Sequence, residues 1–401
     1  MTILVLADKL YPTPNANSIC LKRIMDEFEK SGHRILIVNR SIDERITDRK
    51  ENVVNFFQPI DEKWERSDSI WKKITYIFHR VLRLQRWPRV QTDFTNKYLN
   101  SINQLTPIDE VDVILSLCHP YESVEAGYIL KIQYPFKKWI IYNIDTVSDS
   151  SMSKIDRLLC CSIKKKALKW ELNMFSAADL IVSFKSHQVH YSNPNYREIS
   201  HKMIFQDVPL FEPERFVGSR DHGRDTIKII YAGKFYPRFR DPRILIGLFC
   251  GLKTHRNYEV SVYTTFDFVS YLNDSGENNG DILAHSYVEE HELNSHLVSS
   301  DFLLSIGNSD SNMFPSKIVT YVSYGKPIIH IYQDEKDPVV SYLEAYPDKL
   351  LIDYRGDVEN NKNKIANYIE GKHHSIDKKD LIIRYKESSP SYNTNQILSR
   401  L

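Results

Sequence analysis

The segment with the clearest chemical meaning is Ser311–Ile329, which reads SNMFPSKIVTYVSYGKPII. Pro315 and Ser316 can open a helix there, since proline fits the first turn and serine can cap free N–H groups. Gly325 is a natural end for it. A helix that begins at the mouth of a parallel sheet is an anion site without any glycine-rich loop. Lys317 in the first turn opposes the helix dipole, which a bound phosphate would explain; a solvated lysine is the alternative.

A second cationic segment, Tyr231–Arg243, follows one predicted strand and precedes a predicted helix. It contains Lys234, Arg238 and Arg240, and cations in such a loop would neutralise a diphosphate and stabilise its departure. Gly233 permits a close approach of the backbone. The alternative is a solvated basic loop, but four cations and one acid within ten residues favour phosphate.

Polar side chains also follow two apolar runs in the first half of the chain. His119 comes shortly after Val113–Leu117, and Asp145 comes directly after Trp139–Ile144. If these runs are neighbouring parallel strands, both side chains reach the same edge of the sheet. A histidine or a carboxylate there can orient or deprotonate an acceptor hydroxyl, although a lone histidine is usually structural. Glu122 is a weaker candidate beside them.

These residues require elements that alternate between strand and helix. Short apolar runs indicate strands at Ile3–Ala7, Arg34–Asn39, Val113–Leu117, Trp139–Ile144 and Leu180–Phe184. After a proline-containing linker at Val208–Ser219, the pattern restarts with strands at Ile227–Tyr231, Tyr258–Tyr263, Phe302–Ile306 and Pro327–Tyr332. Continuous apolar strands between helices imply parallel sheets covered on both faces. We therefore predict an α/β fold with domains at 1–212 and 213–378, and a segment 379–401 that packs back on the first domain.

Composition excludes several functions. The net charge of +1 over 401 residues argues against a dedicated nucleic-acid binder. Glycine contributes only 13 residues, so phosphate chemistry must rely on cations and helix N-termini. The loop Tyr11–Ser18 has no glycine, although Asn17 tolerates a left-handed backbone and the loop can still close over a ligand. Five cysteines without a C-x-x-C pair fit a reducing compartment, and no apolar run approaches the ~20 residues of a membrane span.

One stretch suggests a location. Ser69–Gln91 has six basic residues, no acidic residue, and apolar residues at helical spacing. A basic amphipathic helix with tryptophan suits an anionic membrane surface, and a domain helix with a solvated face is the alternative. The predicted membrane contacts are Trp71, Lys72, Lys73, Arg80 and Arg83. We expect a cytoplasmic protein, and membrane binding by this helix would place it at the inner face of the plasma membrane.

Asn312–Ile329 resembles the nucleotide-sugar signature of retaining GT-B glycosyltransferases, the large family four group. Pro315-Ser316-Lys317, Tyr321 and Gly325-Lys326-Pro327 carry the match. Both glutamates of the family's Glu-x7-Glu motif are replaced, by Asn312 and Thr320.

Two further segments are similar to the same family. Tyr231–Arg243 resembles its Tyr-x-Gly and Arg-Asp-Pro loop, and His285–Val288 resembles the stretch whose backbone meets the nucleobase. In that stretch Tyr287 can stack on a base, and a position in the core is the alternative. In the first domain, Asp145 and Asp149 match an acidic loop of the family that here lacks its tryptophan.

The resemblance implies two Rossmann-like domains facing a central cleft, and transfer of a sugar from a nucleotide sugar to a hydroxyl. The acceptor would be a glycan or lipid-linked molecule, with retention, in bacterial surface polysaccharide biosynthesis. The donor-binding set would be Lys234, Arg238, Arg240, Tyr287, Asn312, Phe314, Ser316, Lys317 and Thr320. Asn312 would contact the donor sugar and Thr320 the ribose, with weaker hydrogen bonds than carboxylates make.

The acceptor side would use His119 and Asp145 as catalytic residues, with Asn17 and Glu122 nearby. No metal or other cofactor is expected, because cationic side chains can neutralise the diphosphate. Two alternatives stay open. The loss of both glutamates is compatible with an inactive GT-B subunit that binds a glycan or a partner transferase. The same fold also suits a nucleotide-sugar epimerase.

Overall fold

The computed structural model describes residues 1–10, 16–45, 49–59, 88, 90–148, 160–218, 225–237, 239–265, 267–275, 280–309, 314–373 and 376–401. These residues form two compact units. Unit 1 comprises Met1–Pro209 and Pro390–Leu401, and unit 2 comprises Leu210–Ser389.

Unit 1 is built on a sheet whose described strands are β1 (Thr2–Asp8), β2 (Arg34–Ser41), β3 (Arg49–Lys50), β4 (Val53–Phe57), β5 (Val113–Cys118), β6 (Lys138–Asn143), β7 (Leu180–Phe184) and β8 (Met203–Gln206). The central strands β1, β2, β5, β6 and β7 are almost wholly buried. Within the described part of the chain the order is β3-β4-β2-β1-β5-β6-β7-β8. The short β3 pairs antiparallel, and the other neighbouring pairs are parallel.

Helices cover this sheet. They are α1 (Ala16–Lys30), α2 (Thr92–Leu105), α3 (Tyr121–Gln133), α4 (Cys160–Ala177) and α5 (Gln188–Tyr191). In α1 the apolar residues Leu21, Ile24, Met25 and Phe28 recur at helical spacing and are buried. The helix ends before Gly32, whose φ of +80° is a left-handed backbone that glycine adopts without strain.

Unit 2 repeats the architecture with a parallel sheet. Its strands are β9 (Thr226–Ala232), β10 (Asn257–Tyr263), β11 (Ile282–His285), β12 (Phe302–Ile306), β13 (Ile328–Tyr332) and β14 (Lys349–Asp353). Its helices are α6 (Arg243–Phe249), α7 (Phe268–Ser275), α8 (Glu290–Ser299), α9 (Lys317–Tyr324), α10 (Pro338–Tyr342), α11 (Val358–Glu370) and α12 (Lys378–Tyr385). The last helix of the chain, α13 (Pro390–Leu398), belongs to unit 1 and packs on α1.

The strand orders confirm the predicted α/β class. In the described residues of unit 2 the order is β11-β10-β9-β12-β13-β14. This is a doubly wound sheet, in which successive strands are added first on one side of the first strand and then on the other. The reversal lies between β9 and β12 in unit 2 and between β1 and β5 in unit 1. Ligands of such sheets bind at the carboxyl ends of the strands beside this reversal of strand order. We therefore expect the ligand site of each unit at that edge of its sheet.

One predicted element is shorter than its apolar run suggests. The run through Leu252 predicted a helix at Pro242–Leu252, but α6 ends at Phe249. Cys250 is extended and Gly251 is left-handed, with φ of +68°. The chain turns there, so Leu252 is buried beyond the helix rather than in its last turn.

Candidate functional site

The carboxyl edge of unit 1 brings three of the predicted residues together. Asn17, in the first turn of α1, donates its side-chain amide to Asp145 Oδ2 at 3.2 Å. His119 follows β5 and is half-buried, and its ring lies 4.4 Å from that of Tyr121 between centroids. Burial lowers the pKa of His119, and the carboxylates of Asp145 and Asp8 oppose that shift. The imidazole is therefore neutral near pH 7 and able to accept a proton.

Asp8 and Arg40 belong to the same edge, and sequence reasoning missed them. The register of β1 and β2 places them opposite each other, and Arg40 Nε donates to Asp8 Oδ1. Both side chains are buried, and the guanidinium lies 5.3 Å above the centre of the Phe94 ring. Burial raises the pKa of Asp8, and Arg40 opposes that rise. The available signal was the position of Asp8 as the last residue of an apolar strand.

Two side chains near this edge bind backbone groups. Glu122 is buried in the first turn of α3, and its carboxylate accepts the backbone N–H of Gln91 at 3.0 Å. That contact fixes the chain entering α2. Ser18 lies in the first turn of α1, and its hydroxyl donates to the carbonyl of Asp8.

The carboxyl edge of unit 2 holds the basic loop after β9. The loop folds into a tight turn in which the N–H of Arg240 donates to the carbonyl of Tyr236 at 2.6 Å. The Arg240 guanidinium donates to Asn308 Oδ1 at 3.0 Å and to the carbonyl of Lys234 at 3.2 Å. Asn308 is buried just after β12. Arg240 is thus fixed between the loops that follow β9 and β12, beside the reversal of strand order.

Lys234 is an exposed cation of this loop. Its ammonium makes no hydrogen bond or ion pair with the described residues, so its charge is available to an anion. Gly233 gives room to the neighbouring side chains: a Cβ there would lie 3.0 Å from the Tyr231 hydroxyl and 3.6 Å from Arg240 Nη1. Arg238 lies outside the described residues.

The start of α9 differs from its prediction in one respect. Ser316 is the residue before the helix, but its φ of −53° and ψ of −24° are helical and its side chain makes no cap hydrogen bond. A capping serine needs an extended backbone, so the predicted cap is wrong. Lys317 is exposed in the first turn. Desolvation by surrounding protein nevertheless lowers the pKa of its ammonium, and Glu290 opposes that shift.

The remaining residues of this segment take separate positions. Thr320 is half-buried in the first turn of α9. Phe314 packs edge-on against Tyr342, with 5.3 Å between ring centroids. Asn312 lies outside the described residues.

Several residues that carry the family resemblance are structural. Lys326 is buried, and its ammonium donates to the carbonyls of Val298, at 2.8 Å, and Ser300 at the C-terminus of α8. The Tyr321 hydroxyl accepts the N–H of Ala232 at 2.8 Å, which ties α9 to the end of β9. Gly325 has φ of +65°, and a side chain there would collide with Phe216. These residues anchor the helix that follows β12.

An aromatic group lies at the carboxyl ends of β10 and β11. His285 stacks on Tyr263 at 4.5 Å between centroids, and His296 stacks on the same ring at 4.9 Å. Desolvation lowers the pKa of His285, opposed by Glu259. Tyr287, two residues beyond β11, is 58% exposed, so a position in the core is wrong for it.

Among the described residues, no group of three or more His, Cys, Asp or Glu side chains has the geometry to hold a metal ion. No described helix has both the length and the apolar character needed to cross a bilayer. The predicted membrane contacts Trp71, Lys72, Lys73, Arg80 and Arg83 lie outside the described residues, so they stay predictions.

No model of a known protein family matches the chain, and no curated protein matches its sequence. Solved structures do match. The N-terminal domain of trehalose-6-phosphate phosphatase from Candida albicans covers 100% of this chain and 96% of its own, with 11% identity and a TM-score of 0.64.

Two further matches have names that bear on chemistry. A glycosyltransferase from Rickettsia africae covers 99% of this chain and 97% of its own, with 10% identity and a TM-score of 0.58. A UDP-GlcNAc 2-epimerase from Methanocaldococcus jannaschii covers 100% and 99%, with 10% identity and a TM-score of 0.52. With its two parallel Rossmann-like sheets, the chain has the GT-B fold, as the sequence predicted. At such identities the likeness concerns the fold alone.

Proposed function

We propose that the protein is a glycosyltransferase that uses a nucleotide sugar. The observation that carries the proposal is the arrangement of Arg240 and Lys234 at the reversal of strand order in unit 2. Arg240 is fixed by Asn308 and its own loop, and Lys234 carries an exposed charge without an ion pair in the described residues. A preorganised guanidinium beside an exposed ammonium suits a diphosphate leaving group.

Unit 2 would hold the donor. Lys234 and Arg240, with Arg238 from the same loop, would neutralise the diphosphate, and the helix start at Ser316 and Lys317 would add N–H dipoles and a further cation. The exposed ring of Tyr287 would stack on the base. In the remaining roles, Thr320 would bind the ribose, Asn312 the sugar, and Phe314 would border the site through its contact with Tyr342.

Unit 1 would serve the acceptor. The neutral imidazole of His119 accepts the proton of the attacking hydroxyl, and the Asp145 carboxylate stabilises the imidazolium that forms. The acceptor oxygen bonds to the anomeric carbon, on the ring face from which the diphosphate departs, as the bond from that carbon to the diphosphate oxygen breaks. Asn17 orients Asp145 through its amide. Cations take the place of a metal in this scheme.

The finer parts of the proposal follow from the resemblance. They are membership of the retaining family four group, transfer with retention, and an acceptor that is a glycan or lipid-linked molecule of bacterial surface polysaccharide. A place at the inner face of the plasma membrane would suit such an acceptor and the basic stretch Ser69–Gln91.

The test is sugar transfer from a panel of nucleotide sugars by the full chain and its variants. Lys234→Ala and Arg240→Ala should each abolish transfer. Arg243→Ala is the matched control, because Arg243 belongs to the same segment but is exposed and paired with Asp241. Near-normal turnover in both site variants would overturn the diphosphate assignment.

A nucleotide-sugar epimerase is the second candidate, supported by the match to an epimerase of the same fold. An epimerase converts the donor without any acceptor, whereas a transferase releases the nucleotide only as the sugar moves. Incubation of each donor alone, followed by chromatography of the nucleotide sugars, separates the two. Failure to bind any donor in calorimetry would instead favour an inactive subunit.

A further inference from the structure

A buried carboxylate in unit 1 lies behind the loop that carries Asp145. Glu171, near the middle of α4, is fully buried. Its Oε1 accepts the N–H of Val147 and its Oε2 accepts the N–H of Ser148, both at 3.3 Å. These two N–H groups come two and three residues after Asp145.

Two tyrosines complete the shell around this carboxylate. The hydroxyl of Tyr191 donates to Oε1 and that of Tyr196 donates to Oε2, both at 2.8 Å. Each carboxylate oxygen therefore accepts one backbone N–H and one phenol. No Lys or Arg side chain of the described residues pairs with Glu171. A buried carboxylate is costly unless it is hydrogen-bonded throughout, and within the described part of the chain the donors to Glu171 are all neutral.

The same shell reaches the loop from both sides of Asp145. Before it, Asn143 at the end of β6 donates its amide to the Tyr191 hydroxyl at 2.7 Å. After it, the Ser148 hydroxyl lies 2.7 Å from that of Tyr196. Because the Tyr196 proton goes to Glu171, Ser148 is the donor in that bond.

The 144–148 segment has no helix or strand of its own. Its other backbone bond runs from the Ile144 N–H to the carbonyl of Cys118 at 3.4 Å, which is long. The position of Asp145 opposite Asn17 and near His119 therefore depends on bonds that converge on one side chain.

We propose that Glu171 is a positioning residue, whose carboxylate fixes the 144–148 segment so that Asp145 stays beside Asn17 and His119. The inference rests on the proposed function for its effect on catalysis. Its effect on geometry is independent of that function. Glu171 itself touches no substrate.

The first experiment measures transfer by the full chain. In Glu171→Gln, one carboxylate oxygen becomes an NH2 group, which cannot accept from the N–H and O–H donors that face it. We expect kcat to fall by about 100-fold, the loss typical of a reacting group displaced by an ångström. The donor KM should stay within about twofold, because the proposed donor site lies in the other unit. Tyr196→Phe removes one donor and should cause a smaller fall.

The matched control is Asp179→Asn. Asp179 is a structural carboxylate of the same sheet, which accepts the Trp139 N–H at 2.8 Å at the amino end of β6 and pairs with Lys131. We expect that variant to lower the melting temperature and leave kcat unchanged. Equal losses of kcat in Asp179→Asn and Glu171→Gln would reduce Glu171 to a stabilising residue and overturn the proposal.

The second experiment needs no activity. The groups that shift the His119 pKa are Asp145 and Asp8, and its ring packs on Tyr121. Nuclear magnetic resonance titration of His119 should show a lower pKa in Asp145→Asn, which loses one opposing carboxylate. Glu171→Gln should lower that pKa in the same direction, and should add nothing in the Asp145→Asn background.

The two experiments separate the inference from the proposed function. A chain that transfers no sugar from any donor contradicts the function, and the titration still decides the role of Glu171. An unchanged His119 pKa in Glu171→Gln, or shifts that add in the double variant, would overturn the positioning role. If Glu171→Gln does not fold, Tyr196→Phe takes its place in both measurements.

Discussion

The carboxyl edges of the two sheets differ in how their charged side chains are paired. In unit 1, Arg40 pairs with Asp8, Asn17 donates to Asp145, and His119 faces both carboxylates. In unit 2, Lys234 and Lys317 carry exposed charges without an ion pair among the described residues. An edge whose charges satisfy one another suits a neutral hydroxyl, whereas an edge with uncompensated cations suits a diphosphate.

The largest expected effect is a change at the unit 1 edge that lowers kcat and leaves donor binding in unit 2 unchanged. His119→Ala removes the proposed base of unit 1, so we expect kcat to fall by about 100-fold, within the range for general base catalysis. The donor dissociation constant should not change. Steady-state kinetics with calorimetry of the donor checks both values.

The control for this prediction is His201→Ala. His201 is another histidine of unit 1, and it is exposed. If His201→Ala and His119→Ala reduce kcat equally, the assignment of the base to His119 fails.

The second prediction concerns pH. Burial lowers the pKa of His119 below its ordinary 6.5, so the neutral base predominates at pH 7. We expect kcat/KM to level off above the His119 pKa and to fall about tenfold per pH unit below it. Stability follows the same direction, because a histidine whose folded pKa is depressed favours unfolding once the pH falls below the unfolded value.

A variant sharpens the pH prediction. Asp145→Asn removes a carboxylate that raises the His119 pKa, so the acid limb should move to lower pH. If the acid limb of the kcat/KM profile does not move in Asp145→Asn, the group that titrates there is not His119.

The third prediction is smaller and concerns unit 2. Tyr287→Ala removes an exposed ring proposed to stack on the base, and such stacking is worth about 1–3 kcal/mol, or about five- to 150-fold in affinity. We expect the loss near the lower end, because a 58% exposed ring retains much of its contact with water. Calorimetry with the nucleoside diphosphate that the wild type binds measures it. Tyr287→Phe keeps the ring and should bind as wild type does; a loss equal to that of Tyr287→Ala would argue for a role of the hydroxyl instead.

Much of the fold could be predicted from the sequence because buried parallel strands consist of consecutive apolar residues. Leu180–Phe184 and Phe302–Ile306 are strands with the predicted bounds. The edge positions of His119 and Arg240 followed from the same pattern, since strand ends locate the loops.

The features that could not be predicted depend on contacts between residues far apart in the sequence. The pairing of Asp8 with Arg40 follows from strand register, and Glu171 meets Val147 through the packing of α4. Neither leaves a local spacing to detect. Lys326 shows that a match to a motif does not by itself assign a binding role. It lies in the segment that resembles a nucleotide-sugar signature, but its ammonium donates to backbone carbonyls at the end of α8.

The different roles proposed for the two edges are tested most directly by calorimetric binding of a panel of nucleoside diphosphates to the wild-type chain, Arg240→Ala and His119→Ala. The account predicts that the wild type binds one of them, that its affinity is unchanged in His119→Ala, and that it falls by about 100-fold or more in Arg240→Ala. Equal weakening in both variants would contradict it, as would wild-type affinity in Arg240→Ala.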